Sequence, residues 1–129
     1  MEMIHTVGRR KAAIARLYMR KGSGRIFVNG RDFTEYFPQV HIQNAMLEPF
    51  TTVELDPKLY DLKIRVDGGG FKGQAEAIRL AVARALVQLN EDYRRPLKEK
   101  KLLTRDAREV ERKKYGKPKA RKSFQFSKR

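Results

Sequence analysis

The amino-acid sequence predicts an α/β fold, an α+β sandwich of sheet and helix, carrying a long, extended, basic C-terminal tail. Three observations lead there. Apolar residues alternate with period two over residues 12–20 and again over 61–67. The period lengthens to that of a helix over residues 74–90, as expected for an element with one buried stripe. Charge is divided unevenly: residues 1–93 hold 14 basic and 11 acidic side chains, whereas residues 94–129 hold 16 basic and 4 acidic. A nearly balanced body, residues 1–93, is therefore expected to carry a cationic appendage, residues 94–129, with the boundary near residue 94.

In chain order, "AAIARLYMR" places Ala13, Ala15, Leu17 and Met19 on one face of a strand and Ile14, Arg16, Tyr18 and Arg20 on the other. "GSG" at residues 22–24 reads as a turn into "RIFVNG", a short β-rich run closed by Asn29-Gly30, the dipeptide suited to a tight hairpin. Asp32, three residues before Glu35, is a variant of the helix capping box. "PQVHIQNAMLEPF" reads as one short helix bounded by Pro38 and Pro49. "DLKIRVD" is the cleanest strand, with Leu62, Ile64 and Val66 on one face and charges on the other. The main buried helix follows, with Ala75, Ile78, Val82, Ala85, Leu86 and Leu89 in one stripe whose alanines allow close approach to a sheet. After Asn90 the chain becomes charged and is broken by Pro96, and a further short helix could start near Thr104 or Asp106 and stop at Gly116.

Composition narrows the function. A formal charge of +15 on 129 residues opposes compaction and calls for an anionic partner. Nucleic acid fits first; a membrane surface fits poorly, since the basic region lacks a helix with a wide apolar face. The chain has no cysteine and two distant histidines, His5 and His41, which excludes disulfides and leaves little for zinc. The N-terminal "MEMIHTVGRRK" is too polar for a signal peptide, so a cytoplasmic protein is expected. No nucleophile elbow, zincin motif or acidic cluster suggests catalysis. No enzyme activity, cofactor, metal or small-molecule substrate is expected.

"GGGFKG" at residues 68–73 matches G-x-G-x-x-G between a strand and a helix. As a dinucleotide site it lacks the second parallel strand and its terminal acid, because the helix runs into "EDYRRPLKEKK". Two readings stay open: a structural turn, or backbone at Gly69 and Lys72 approaching an RNA phosphate. "GRRKAAIAR" sets Arg9, Arg10 and Lys11 at the mouth of a strand whose outer face continues with Arg16, Tyr18 and Arg20. This is either a solvated face or a strip for phosphate contact and stacking.

The end of the chain is more pointed. Residues 112–129 hold nine cations, Arg112, Lys113, Lys114, Lys117, Lys119, Arg121, Lys122, Lys128 and Arg129. If each neutralises a phosphate, the log–log salt slope of RNA binding is roughly −6 to −8. Tyr115, Phe124 and Phe126 are suited to stacking, which a purely solvating tail or a basic localisation signal does not need.

Three stretches carry a resemblance. "GGGFKGQAEAIRLAVARAL", "GRRKAAIAR" and "LLTRDAREVERKKYGKPKARKSFQFSKR" are similar, in that order and across the whole chain, to motifs of the family of the ninth protein of the small ribosomal subunit, bacterial type. Departures are small: Ala12 stands for a common serine, Ala107 for a proline, and Lys100-Lys101 for a more usual Ala-Gly. The resemblance implies a mixed sheet with helices on one face and a left-handed βαβ crossover, as in the S-five domain-two-like fold, an exception to the usual handedness. It implies a structural constituent of the small-subunit head, bound to 16S ribosomal RNA and neighbouring head proteins. It also implies that the tail threads through RNA and that Ser127, Lys128 and Arg129 reach the anticodon stem-loop of peptidyl-site transfer RNA. Eighteen extended residues span at most about 60 Å, so such a reach is physically open to it.

Overall fold

A computed structural model describes residues 2–103 of the chain. Strand β1 (Ile4–Arg10) pairs antiparallel with β2 (Ala13–Lys21), and β2 pairs antiparallel with β5 (Tyr60–Asp67). Beyond β5 lies β3 (Ile26–Val28), parallel to it, and then the two-residue β4 (Arg31–Asp32), antiparallel to β3. The result is a five-stranded mixed sheet in the order β1-β2-β5-β3-β4. Between β4 and β5 the chain forms α1 (Phe33–Tyr36), α2 (Val40–Met46) and α3 (Glu48–Thr52). The long α4 (Phe71–Leu89) and the short α5 (Arg94–Glu99) follow β5.

The two expected strands and the long helix are present, and their alternation sorts as the sequence pattern requires. Ala13, Ala15, Leu17 and Met19 are fully buried, as are Leu62, Ile64 and Val66 to within 2 %. Asn29 and Gly30 both have positive φ (52° and 82°), the turn between β3 and β4 that an Asn-Gly pair favours. Asn29 does more than turn the chain. Its Nδ2 donates to the Val66 carbonyl and its Oδ1 accepts from the Val66 amide, both at 2.9 Å, extending the parallel β3–β5 ladder with a side chain. Asp32 caps α1 by accepting from the Thr34 amide at 2.9 Å.

Two expectations about the helices need correction, and strand β1 was not expected. Strand β1 has no alternating apolar pattern, because its buried positions include Thr6 and Gly8. The reason is close packing against α4. A side chain at Gly8 would overlap the Ala77 carbonyl and lie 2.6 Å from the Ala81 amide, while the Thr6 hydroxyl donates to the Ala81 carbonyl at 2.7 Å. The single helix expected over residues 38–50 is two, since Pro49 sits in the first turn of α3, where its missing N–H costs nothing. The long helix starts at Phe71, three residues before the apolar period, with Gly70 as its N-cap. It is also buried around most of its circumference, because α2 and α3 cover the flank that the sheet leaves.

Packing continues past residue 94, where the charge changes. Leu97 on α5 is fully buried and Leu102 nearly so, so the packed body reaches at least residue 102, past the change in charge. Helix α5 ends in a Schellman motif: the Leu102 amide donates to the Leu97 carbonyl and the Lys101 amide to the Lys98 carbonyl, both at 2.9 Å. Lys101 holds the left-handed position at φ 61°. Charge composition marks where repulsion begins; two leucines decide where packing stops.

Candidate nucleic-acid interface

The helices cover one face of the sheet. On the other, side chains of β1, β2, β3 and β5 point away from every described helix. The register fixes their neighbours across the strands. One row runs His5, Tyr18, Lys63, Phe27 and the next runs Val7, Arg16, Arg65. A third row joins Arg9, Ile14 and Asp67, and Arg20 lies opposite Asp61. The face forms a shallow depression of about 1040 Å³ toward the β3 side.

His5 and Tyr18 stack with ring centroids 4.4 Å apart and planes within 7°. Phe27 is 39 % exposed although it is a strand residue. Asp61 is spoken for locally. It accepts from the Arg25 and Ser23 amides, each at 3.0 Å, which together with the nearby Arg25 guanidinium lower its pKa below the usual aspartate value. Among the described residues Arg9, Arg16, Arg20, Lys63 and Arg65 have no ion-pair partner.

The expected site residues divide. Arg9, Arg16 and Arg20 share the open face. Arg10 faces the other way and is half-buried, with its Nε 2.6 Å from Glu76 on α4. Lys11 is exposed at the β1–β2 hairpin tip with φ 54°. Lys72 is exposed in the first turn of α4. The hairpin tip and the glycine turn are held together, since a side chain at Gly68 would strike the Ala12 carbonyl and Gly69 lies against Ala13. Arg112, Lys113, Lys114, Tyr115, Lys117, Lys119, Arg121, Lys122, Phe124, Phe126, Ser127, Lys128 and Arg129 lie outside the described residues, as does the helix expected after Thr104.

The glycine turn is accounted for by packing. Gly68 and Gly69 have φ 78° and 67°, where a side chain is strained. Gln74, buried in the helix behind them, donates to the Gly68 carbonyl at 3.0 Å and accepts from the Tyr36 hydroxyl at 2.8 Å. These bonds anchor the turn to α1. No strand follows α4 among the described residues, so the dinucleotide geometry is missing.

Lys63, Arg65, Phe27 and His5 escape a sequence reading of the interface. Lys63 and Arg65 show as the charged face of a strand, but only pairing across more than forty residues of chain sets them beside Tyr18 and Arg16. Among the described residues no group of three or more potential metal ligands occurs, and no helix is long and apolar enough to cross a membrane.

A family model described as "Ribosomal protein S9/S16" matches residues 8–129. Curated relatives match over the full length. The small ribosomal subunit protein uS9 of Porphyromonas gingivalis is 53 % identical over 129 residues, covering 100 % of both chains. That of Amoebophilus asiaticus is 54 % identical over the same span, again 100 % of both. That of Gemmatimonas aurantiaca is 56 % identical over 128 residues, 99 % of this chain and 98 % of its own.

Proposed function

The chain belongs to the ribosomal protein S9/S16 family, and from that premise we propose that it binds 16S ribosomal RNA in the head of the small subunit and reaches peptidyl-site transfer RNA. Membership makes it a structural component of the small ribosomal subunit, acting in translation in the cytoplasm. The observation that carries the RNA reading is the open sheet face, where Arg9, Arg16, Arg20, Lys63 and Arg65 lack carboxylate partners among the described residues. Cations held on rigid strands suit the fixed phosphates of a folded RNA.

The hairpin tip with Arg9 and Lys11, together with Lys72 and the backbone at Gly69, forms a corner that meets a phosphate strand. Arg10, through Glu76, braces that corner against α4. The connection from β3 through the three short helices to its parallel neighbour β5 is read as the left-handed crossover of the S-five domain-two-like fold. The tail cations from Arg112 to Lys122, with Tyr115, Phe124 and Phe126 between and beyond them, anchor the extension on ribosomal RNA. Neighbouring head proteins flank the body. Ser127, Lys128 and Arg129 contact the anticodon stem-loop, where the Arg129 guanidinium offers a planar fork for phosphate that lysine does not reproduce.

Two measurements test this. The protein should co-sediment with small subunits at moderate salt and be stripped at high salt, with log affinity falling linearly against log salt. Small subunits carrying protein without residues 127–129 should assemble but hold peptidyl-site transfer RNA more weakly. Equal transfer-RNA affinity across a range of magnesium concentrations removes the role of the terminus.

A further inference from the structure

We propose that the open face of the sheet is a stacking platform for unpaired RNA bases, with Tyr18 (backed by His5) and Phe27 as the two seats and Lys63 between them; this rests on the RNA-binding reading above. The three side chains lie in one cross-strand row, Tyr18 on β2 opposite Lys63 on β5, and Lys63 beside Phe27 on β3. Neighbouring strands are about 4.8 Å apart, so the seats are separated by about 10 Å with an ammonium group midway. That suits two splayed bases whose linking phosphate lies over Lys63.

Charge placement on the next row supports the same occupant. Arg16 and Arg65 are directly opposed on adjacent antiparallel strands, an arrangement that destabilises a sheet by like-charge repulsion. No described carboxylate relieves either one by an ion pair. A phosphate spanning both relieves the repulsion, and arginine forks suit its oxygens. Charge alone would serve a duplex equally well. The flat His5–Tyr18 pair and the exposed Phe27 have no use on a duplex backbone, whereas single-stranded RNA is held by stacking on such rings.

The test uses the full-length protein with a single-stranded ribo-oligonucleotide carrying 2-aminopurine, and a duplex with the same number of phosphates. Variants are Tyr18→Leu, Phe27→Leu and Lys63→Gln. Binding to wild type should change the 2-aminopurine fluorescence. Each aromatic variant should lose that signal and about fivefold or more of single-strand affinity, with duplex affinity unchanged. Lys63→Gln should weaken both ligands and lower the salt slope by just under one unit. Short-wavelength crosslinking of wild type, independent of any variant, should place adducts on Tyr18 or Phe27.

Crosslinks confined to the C-terminal extension, or aromatic variants indistinguishable from wild type, overturn the platform and leave RNA binding standing. Absence of any RNA binding by wild type overturns both readings. If the variants lose a neighbouring protein but keep full RNA affinity, the face is a protein-docking surface and the platform is wrong.

Discussion

On β2, Ala13, Ala15, Leu17 and Met19 turn toward α4 and are fully buried, whereas Arg16 and Arg20 on the same strand are exposed and look away from it. The closed face is built from small and apolar groups because a helix rests on it. At Gly8 the helix backbone comes so close that no side chain fits. The open face carries long cations and flat rings because no described element rests there. Alternation along each strand thus lets one set of residues carry the stability while its neighbours stay open to solvent and to the proposed ligand. Substitutions on the two faces should therefore separate cleanly in what they damage.

The most severe break should come from the closed face. Gly8→Val must push α4 off β1, since the obstacle is the Ala77 backbone rather than a movable side chain. A cost of about 3 kcal/mol or more is expected, a large share of the roughly 5–15 kcal/mol of a domain. Urea denaturation of the free protein should show the midpoint collapse or cooperativity disappear; a midpoint near wild type would mean that β1 and α4 are not so close. Next comes the late-joining edge of the same core. Leu97→Ala should cost about 2–5 kcal/mol, and a chain ending at residue 90 should melt less cooperatively than one ending at residue 103. Equal melts would return the boundary to residue 94.

A smaller, opposite effect tests the cap that ends the body. Lys101 occupies a left-handed position where the side chain costs about 1 kcal/mol, and glycine recovers part of that after its larger unfolded-state entropy. Lys101→Gly should raise the melting temperature by about 2–4 °C, whereas Lys100→Gly, at φ −84°, should lower it slightly. The smallest effect on stability belongs to the open face. Arg16→Gln should leave stability within about 0.5 kcal/mol, and raise it if anything, by relieving the opposition to Arg65. The same variant should lower the salt slope of RNA binding by just under one unit. Marked destabilisation with unchanged RNA binding would abolish the distinction between the faces.

Much of this organisation follows from local pattern. The period-two runs predicted β2 and β5 and which of their side chains are buried, because alternation is a property of any extended chain with one face in a core. The 3.6-residue stripe predicted α4, and Asn29-Gly30 the turn that closes β3, because only a few residues accept two consecutive positive φ values. The basic hairpin was legible as a candidate strip from Arg9, Arg10 and Lys11 together with Arg16, Tyr18 and Arg20. Other features depended on contacts that no local window contains. Strand β1 hides because close packing against α4 selects Thr6 and Gly8 where an apolar signal is expected. Arg10 reads like Arg9, yet the pleat sends it to Glu76 while Arg9 faces outward. Lys63, Arg65 and Phe27 come beside Tyr18 and Arg16 on the candidate face only through pairing with distant strands. Leu97 and Leu102 enter the core only because α3 and α4 stand where they can be reached. Residue type and spacing determine what an element is; which elements lie against one another determines what each side chain is for.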